Sequence, residues 1–572
     1  MTLDEFEPLT PAERAVIAGL GTGHVTVLGD GTLPGESAGE DRRVRASLIR
    51  WLALDAPGDD SVRLHERGLG IKGALVVSDG RVDPALGAGT TPGINFAGCT
   101  LDHDLVLFAC RFCDTPIFRN ATVHSVALNG AALPGLKAEG LDARNMISLR
   151  DVQAKGEVKL LGARIGSDLA CEIGSFENTG GKALSADGLE ARGNVFLRGV
   201  LATGEVRLVG ARIGGNLDCE IGSFKNESSV ALVADSVNLK GNMVLRDVQA
   251  NGEVRLIGAR IGGNLSCLNG RFENAGGHAL SADGARVTGV LFWRKGSHAT
   301  GVVDLTAAEI GHINDDPASW PGPGDLLLNR CRYGAFVGHG ISGADRIRWL
   351  DLQAPARWGM DFWPQPWEHC AQVLREMGHT EDARQVLIAK ERRQRAARRA
   401  RRRAEVTGTW THAALPLHRL GDWLLGALIA YGHRPLRAVW WLAALWIVGA
   451  VLFGIAFGNG TFKPNNAFIL AKDEWAQCEA KGDRRGDHPS TLACYRAQPE
   501  AKGYPAFNAP LYSLDTLLPV VDLEVQDYWV PDARAAPLAR WYLWAHIAAG
   551  WALTLLAVAG FSGLVQSRAS EE

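Results

Sequence analysis

The sequence lacks the short motifs that mark common enzyme families. It contains no HExxH, P-loop or nucleophile elbow, and no GxGxxG that follows a strand and opens a helix. We therefore predict no catalytic residue, no cofactor and no metal site. A binding or structural protein is favoured over an enzyme.

Aromatic residues are scarce, and neither sign of charge dominates. Phe, Trp and Tyr make up 7% of the chain and the net charge is −3, so bulk charge predicts no particular partner. The N-terminus, MTLDEFEPLTPAERAVIAGL, lacks the basic and then apolar pattern of a secretory signal. Nothing in it directs the first part of the chain out of the cytoplasm.

The chain is rich in glycine, with 68 residues, and contains three near-copies of one stretch. The copies GEVKLLGARIG, GEVRLVGARIG and GEVRLIGARIG begin at Gly156, Gly204 and Gly252, which gives a period of 48 residues. A fixed period of this size indicates a solenoid, a propeller or an array.

Four short strings alternate apolar and polar residues in each unit, as in ALSAD, NVFLR, EVRLV and NLDCE after Lys182. Glycine-rich bends separate them, so we predict a right-handed parallel β-helix, a solenoid with two strands and about 22–26 residues per coil. A four-stranded propeller blade fits the count as well, but three clear units are too few to close a propeller. We place the solenoid at residues 66–350, after a cap at residues 1–65 with a short amphipathic helix at Arg42–Asp55.

One cysteine recurs in each copy, at Cys171, Cys219 and Cys267. Two coils separate them by about 10 Å, which is too far for a disulfide or a shared metal, so we interpret them as small apolar fillers of the coil interior. Cys110 and Cys113 form a CxxC without a second ligand pair. Alternation would place these two on opposite faces of a strand.

Two more residue types recur with the period. Arg164, Arg212 and Arg260 either form a surface row for an anionic partner or satisfy bend carbonyls and the repeated acids; the second reading is favoured. The acids are Glu157, Glu205 and Glu253. Longer loops carry one Phe per unit, which either forms a binding face at the loop edge or covers the coil beneath; these residues are Phe176, Phe224 and Phe272.

The pattern changes to helical after residue 364. The pattern predicts two helices over residues 365–405 that form a helical hairpin. Thr380 is the predicted N-cap of the second helix, which ends in eight arginines. These arginines precede an apolar segment, so we expect a cytoplasmic cluster that binds anionic lipid, rather than nucleic acid. They are Arg392, Arg393, Arg395, Arg398, Arg399, Arg401, Arg402 and Arg403.

Two apolar segments, at residues 438–457 and 541–565, are each long enough to cross a bilayer. An interfacial helix precedes the first, within a region that begins at residue 415. By the positive-inside rule we predict a multi-pass protein of the plasma membrane, with the solenoid and the tail at residues 566–572 in the cytoplasm. The loop at residues 458–538 then faces outward, and its isolated Cys478 and Cys494 predict a disulfide.

A segment that looks re-entrant, at residues 507–529, lies between the two spans. Its sequence LYSLDTLLPVVDLE distantly resembles the pore helix of tetrameric potassium channels, with Ser513 and Thr516 at plausible positions. Those channels coordinate ions through a glycine-containing filter, whereas this segment has Pro519 and no glycine, so selective potassium conduction is not expected. Asp515, Asp522 and Glu524 either form an acidic ring in an oligomer or belong to a segment on the outer leaflet.

The whole layout resembles a family of bacterial membrane proteins, common in actinobacteria, that are often labelled membrane-associated oxidoreductases or pentapeptide-repeat-like proteins. The words VRASLIRWLAL, GEVRLVGARIGGNL, GHTEDARQVLIAKERR and YSLDTLLPVVDLE carry the resemblance over nearly the whole chain. The resemblance implies the architecture, and its label implies redox chemistry for which no motif is present.

Three hypotheses follow, in order of preference. The first is a membrane protein whose cytoplasmic solenoid is a scaffold or sensor for a protein partner. The second is a homo-oligomeric two-span channel or pore with a non-standard pore loop. The third is the oxidoreductase that the family label implies. Membrane lipid is an expected partner in all three, and nucleic acid is not.

Overall fold

The computed structural model describes residues 2–56, 59, 62–78, 93–338, 340–405, 421–480 and 488–561. The chain divides into two compact units, Met1–Val386 and Leu387–Glu572. The boundary falls inside one long helix, Thr380–Glu405. Each unit is described by itself below.

The first unit is a parallel β-solenoid of about ten turns over residues 100–336, so the predicted fold class is confirmed. The strands of its first sheet are Thr26–Val27, Leu69–Lys72, Thr100–Leu101, Leu105–Phe108, Thr122–Val123, Val126–Ala127, Asp142–Ala143, Ile147–Ser148, Arg164–Ile165, Leu169–Ala170, Glu190–Ala191, Val195–Phe196, Arg212–Ile213, Leu217–Asp218, Asn238–Leu239, Met243–Val244, Arg260–Ile261, Leu265–Ser266, Arg286–Trp293, Glu309–Asp315 and Arg332–Phe336. The strands of its second sheet are Arg43–Arg45, Leu75–Val77, Arg111–Phe112, Ala132–Leu133, Leu136–Lys137, Gln153–Ala154, Val158–Lys159, Ser175–Ser185, Leu201–Arg207, Ser223–Val233, Gln249–Arg255, Arg271–Ser281, His298–Asp304 and Leu326–Leu327.

Successive coils in the repeat region contain 22 and 26 residues in turn. Glu190 pairs with Arg212, and Arg212 pairs with Asn238, so the 48-residue period is two coils. A coil holds two short strands in the first sheet and one longer strand in the second, which makes six strands per unit rather than the four expected. One additional strand lies in the GARIG segment, as at Arg212–Ile213, and the other in the corresponding segment of the alternate coil, as at Glu190–Ala191.

The two-coil period has a packing cause inside the solenoid. One inward row reads Phe176, Ala202, Phe224, Ala250 and Phe272, each in register with the next. Its members are almost completely buried. A large ring therefore alternates with a methyl group along the axis, at about 4.8 Å per coil.

A second inward row is complementary to the first. It reads Cys171, Leu197, Cys219, Leu245 and Cys267, all with no exposed surface. The coil with the large Phe carries the small Cys, and the coil with Ala carries Leu. The two rows adjoin, because Trp293, the next member of the second row, stacks on Phe272 with ring centroids 5.4 Å apart. Cysteine is thus a volume match, which confirms its interpretation as interior filler.

A ladder of asparagine side chains joins the coils at one bend. The Oδ1 atom of Asn194 accepts from the backbone N–H of Asn216 at 2.8 Å, and that of Asn216 accepts from Asn242 at 2.7 Å. Asn242 bonds Asn264 in the same way, and Asp168 forms the first rung with Asn194. Each rung satisfies a backbone donor that the bend removes from the sheet.

Both ends of the solenoid are covered. The predicted amphipathic helix forms over Ala46–Ala53, while Thr26–Val27 and Arg43–Arg45 already pair with the first coil. At the other end the strands stop at Phe336. There, the fully buried Arg346 donates to both carboxylate oxygens of Asp315 at 2.9 and 2.7 Å, and its guanidinium lies 3.7 Å from the centre of the Phe336 ring.

Helices make up the rest of the first unit. The predicted hairpin forms, with Gly378 between its arms at φ +87°. Its second helix begins at Thr380, so the cap position falls one residue earlier than expected. The helices and 3-10 turns are Leu3–Phe6, Pro11–Gly19, Leu20–Thr22, Ala46–Ala53, Gly343–Leu350, Pro355–Trp358, Pro364–Glu376 and Thr380–Glu405.

The second unit contains two helices that are long and apolar enough to cross a membrane, Leu436–Gly458 and Pro537–Phe561. In the most apolar 18-residue stretch of each helix, only 17% and 33% of the residues are buried. Most of these apolar side chains are therefore on the outside of the second unit. The predicted tail and residues 415–420 and 562–565 lie outside the described residues. The other elements are a helix at residues 421–429, the turn Ala430–Gly432, the helices Ala467–Leu470, Asp473–Ala480, Thr491–Arg496, Pro499–Gly503, Ala509–Leu517 and Val525–Tyr528, and the antiparallel strands Phe462–Pro464 and Trp529–Pro531.

The paired rows predict a coupled effect of two substitutions. Phe224→Ala should lower the free energy of unfolding by about 3–5 kcal/mol, because it opens a cavity. Cys219→Leu should lower it by about 1–3 kcal/mol, because it overpacks the same coil. The double variant should lose less than the sum, since the new leucine fills part of the cavity. Unfolding of the full chain in detergent, followed by circular dichroism, measures this, with exposed Ile221→Ala as the near-neutral control. Strictly additive losses would contradict the complementary rows.

Candidate functional site: a basic groove on the solenoid

A groove of about 870 Å³ follows the first sheet across five coils. Its first row of outward side chains is Asp142, Arg164, Glu190, Arg212 and Asn238, each in register with the next. Its second row, two residues further along each strand, is Arg144, Gly166, Arg192, Gly214 and Lys240. Between the rows, residues such as Ile165 and Ile213 point inward and are buried.

The groove is basic. Five basic and two acidic side chains line it, a net charge of +3, whereas the whole chain carries −3. The basic residues within one row recur at every second coil, so they are spaced by about 10 Å.

The predicted arginine row is present, but its acidic partner is not the one expected. Glu190, on the intervening coil, contacts Arg212 at 2.6 Å and Arg164 at 3.8 Å. The repeated acids lie elsewhere: Glu157 contacts Lys159 at 3.4 Å and Glu205 contacts Arg207 at 3.0 Å. Stacking brings residues of adjacent coils into contact. The acidic partner of each groove arginine therefore lies 22 or 26 residues away in the sequence.

Arg144, Arg192 and Lys240 were not identified from the sequence. They recur with the 48-residue period, which is the signal that could have revealed them. Arg144 contacts Asp102 at 3.3 Å. Arg192 and Lys240 are exposed, and within the described part of the chain no acidic side chain forms an ion pair with either.

The glycines in the second row are required by the backbone. A Cβ atom on Gly166 or Gly214 would overlap the carbonyl oxygen of Arg144 or Arg192 on the preceding coil. Each basic side chain is therefore followed by a gap, and the long side chains stand separately along the groove.

The three phenylalanines do not form a loop-edge binding face. Phe176, Phe224 and Phe272 have no exposed surface and point into the solenoid, as the alternative interpretation holds. The loops after them do protrude as bulges, each closed by an asparagine amide. One example is Asn226, whose Nδ2 donates to the carbonyl of Val230 at 2.9 Å.

The cysteines provide no evident reactive centre. Burial raises the pKa of the Cys171, Cys219 and Cys267 thiols well above their usual range. Cys110 is buried with a pKa raised to about 12, while Cys113 is exposed on the other face, as alternation predicts. Within the described ranges, no group of three or more His, Cys, Asp or Glu side chains is placed to hold a metal ion.

One motif contradicts the sequence analysis. GHGISG at residues 338–343 is a GxGxxG that follows the strand Arg332–Phe336 and opens the helix Gly343–Leu350. It does not form a nucleotide site, because a carboxylate of the chain already occupies the helix start: the N–H of Gly343 donates to Asp382 at 2.8 Å. The GxSxG string at residues 35–39 lies in a turn with no strand directly before it and no helix directly after it.

The arginine cluster is partly used inside the second unit. Asp422 accepts from Arg395 at 3.0 Å and also contacts Arg399. These two side chains are therefore held against a neighbouring helix rather than left for lipid. Arg392, Arg393, Arg401, Arg402 and Arg403 are exposed, and Arg398 is half-buried.

The predicted pore-loop residues lie on or after the helix Ala509–Leu517. Ser513 is buried and its hydroxyl donates to the carbonyl of Trp446 at 2.9 Å, while Thr516 donates to the carbonyl of Tyr512 at 2.8 Å. Asp515 is buried and accepts from backbone N–H groups, so it does not face outward as an acidic ring requires. Asp522 is exposed.

Cys478 and Cys494, the pair predicted from the sequence, form a disulfide with Cα atoms 5.8 Å apart. It joins the helices Asp473–Ala480 and Thr491–Arg496. A small cluster of Trp475, Tyr495 and Ala501 packs in the same region.

Comparison of the chain with protein-family models, with curated proteins and with solved structures finds no match.

The environment of the CxxC predicts its reactivity. Partial burial, aided by Asp114 and Glu36, raises the pKa of Cys113. Because only the thiolate reacts, alkylation of Cys113 should be slow at neutral pH and should accelerate only at a pH above that needed for an ordinary thiol, about 8.5. Mass spectrometry should find the label on Cys113 and not on Cys110, and Cys113→Ser should abolish it. Rapid labelling at neutral pH would instead indicate an activated thiol.

Proposed function

We propose that the protein is a membrane-anchored scaffold whose solenoid binds an acidic segment of a partner protein along the basic groove. The observation that carries the proposal is the groove itself, with Arg192 and Lys240 exposed and without an ion pair among the described residues. Long cationic side chains held apart on a rigid sheet are suited to carboxylates arriving from another chain.

The spacing favours an extended partner segment. Basic side chains recur about every 10 Å along one row, and a polyproline II chain repeats every three residues at about 9 Å. A segment with a glutamate at every third residue would therefore place one carboxylate near each basic side chain. Glu190 and Asp142 interrupt the positive charge, which disfavours a uniform polyanion such as duplex DNA.

Two independent features support a cytoplasmic solenoid. The arginine cluster lies on the N-terminal side of the first apolar helix, and positive charge is retained on the cytoplasmic side. The Cys478–Cys494 disulfide lies between the two apolar helices, and disulfides persist on the oxidising side of a membrane. Both features support a topology with the inter-helical segment outside and the N-terminal part inside.

The groove can be tested with a defined peptide. We expect the full-length protein in detergent to bind a fluorescent peptide of Glu-Pro-Pro triplets more tightly than one with the same residues and its glutamates clustered. Arg192→Glu combined with Lys240→Glu should abolish binding, because the two groove cations without an ion pair among the described residues are reversed. Lys182→Glu combined with Lys225→Glu, on the other sheet, is the matched control and should bind normally.

The peptide experiment has outcomes that would contradict the proposal. Equal binding of the two peptides would remove the spacing argument. Tighter binding of a DNA duplex, lost in the groove variant, would assign the groove to nucleic acid instead of a protein partner.

The membrane topology can be tested separately with an impermeant maleimide on intact bacterial cells. Lys502→Cys, with Cys99→Ser and Cys113→Ser, should be labelled from outside, because Lys502 is exposed in the inter-helical segment. Lys182→Cys in the same background, at an exposed position of the solenoid, should be labelled only after the cells are permeabilised. The reverse pattern would place the solenoid outside the cell.

A further inference from the structure

The helix Ala509–Leu517 lies between the two apolar helices and reaches their middle. The hydroxyl of Ser513 donates to the carbonyl of Trp446, and a Cβ atom on Gly449 would overlap Ser513. At the end of the inserted helix, the carbonyl of Leu517 lies so close to Gly550 that a Cβ there would overlap it. Residues 446–449 and 550 lie near the midpoints of Leu436–Gly458 and Pro537–Phe561.

This position corresponds to the centre of a bilayer. The two apolar helices contain 23 and 25 residues, and each is therefore about 35 Å long. A hydrocarbon core is about 30 Å thick, so helices of this length that span it have their midpoints near its centre. The inserted helix thus enters from one side and ends half-way across.

The chain after the inserted helix is irregular and turns back from this depth toward the side of entry. Residues 518–524 form neither helix nor strand. The carboxylate of Asp515 accepts from the backbone N–H of Leu523 at 2.8 Å and of Gln526 at 2.9 Å. These bonds fix the return limb, which we define as residues 518–524, beside the second half of the inserted helix.

The return limb is open on its outer side. Val520 is 84% exposed, and Asp522 and Glu524 are exposed as well. Asp522 accepts the N–H of Glu524 at 2.9 Å, and among the described residues no basic side chain forms an ion pair with either carboxylate. Irregular backbone and carboxylates within the hydrocarbon region of a bilayer cannot face lipid without a large cost, and they occur where protein buries them or water fills a cavity.

We infer that several copies of the chain assemble in the membrane with their return limbs facing a shared, water-filled pathway that passes small inorganic cations. A second copy is the occupant that fits, because the same limb on each copy then faces water instead of lipid. The exposed carboxylates would favour cations over anions along this pathway. The limb has Pro519 and no glycine, so selection by charge is expected rather than a filter of backbone carbonyls.

This inference does not depend on the proposed groove function. The groove lies in the first unit and the return limb in the second, and the peptide-binding variants leave the return limb unchanged. A failure of either experiment therefore leaves the other interpretable.

Thiol accessibility tests the water-filled pathway directly. Asp522→Cys is compared with Ile447→Cys, which lies at the middle of the first apolar helix and is 58% exposed there. Both are made in a chain with Cys99→Ser and Cys113→Ser and reconstituted at full length in phosphatidylcholine–phosphatidylglycerol liposomes. A small, charged methanethiosulfonate should modify Asp522→Cys many times faster than Ile447→Cys. Equal inertness of both cysteines, with Val520→Cys also inert, would overturn the inference.

Electrical recording tests conduction and its selectivity. Full-length protein in planar bilayers under a KCl gradient should give currents whose reversal potential shows a preference for K⁺ over Cl⁻. Asp522→Asn combined with Glu524→Gln should move the permeability ratio toward equality. Glu500→Gln removes a charge from the same inter-helical segment outside the limb and should leave the ratio unchanged.

The negative outcomes are equally defined. A monomeric particle in lipid nanodiscs, or bilayers no more conductive than protein-free ones, would overturn the assembly. Currents with the same ion preference in the double variant and the control would overturn the role of the return limb.

Discussion

Parallel hydrogen bonding between coils about 4.8 Å apart is the constraint on which the first unit depends. It places every side chain directly beside its counterpart on the next coil, so each row must be compatible with itself along the axis. Inside, the rows alternate in volume, as with Phe224 and Ala250. At the bend the asparagine ladder satisfies backbone donors, and outside, Arg212 lies beside Glu190. Because side-chain size and charge alternate from one coil to the next, the sequence repeats after two coils, which is 48 residues.

The basic groove is a consequence of the same stacking. Where two coils approach at a bend, the carbonyl of one leaves no room for a Cβ on the next, so Gly214 follows Arg192 in the second row. Alternation of glycine with a long cation separates the cations by two coils. The groove thus presents a regular set of separated charges on a sheet whose strands cannot shift individually, which suits recognition of an extended chain.

The second unit has no repeat, and its polar groups are satisfied one by one. Ser513 bonds the backbone of the first apolar helix, and Asp515 bonds the backbone of the return limb. Gly449 and Gly550 allow the inserted helix to approach both apolar helices closely. This arrangement leaves the carboxylates of Asp522 and Glu524 in the return limb exposed, and the inference for this unit is argued from them.

The sequence by itself determined the solenoid, the two apolar helices and the disulfide pair, because period, hydropathy and cysteine isolation are properties of the chain alone. It could not determine which residues meet across coils. The ion pair of Glu190 with Arg212 and the burial of Phe176 both depend on neighbouring coils. The hydrogen bond between Asp382 and the first residue of the helix Gly343–Leu350 likewise joins residues that are distant in sequence. The depth of the inserted helix was likewise decided only by tertiary packing, since it is set by the close approach of Leu517 to Gly550 and not by any pattern along the chain.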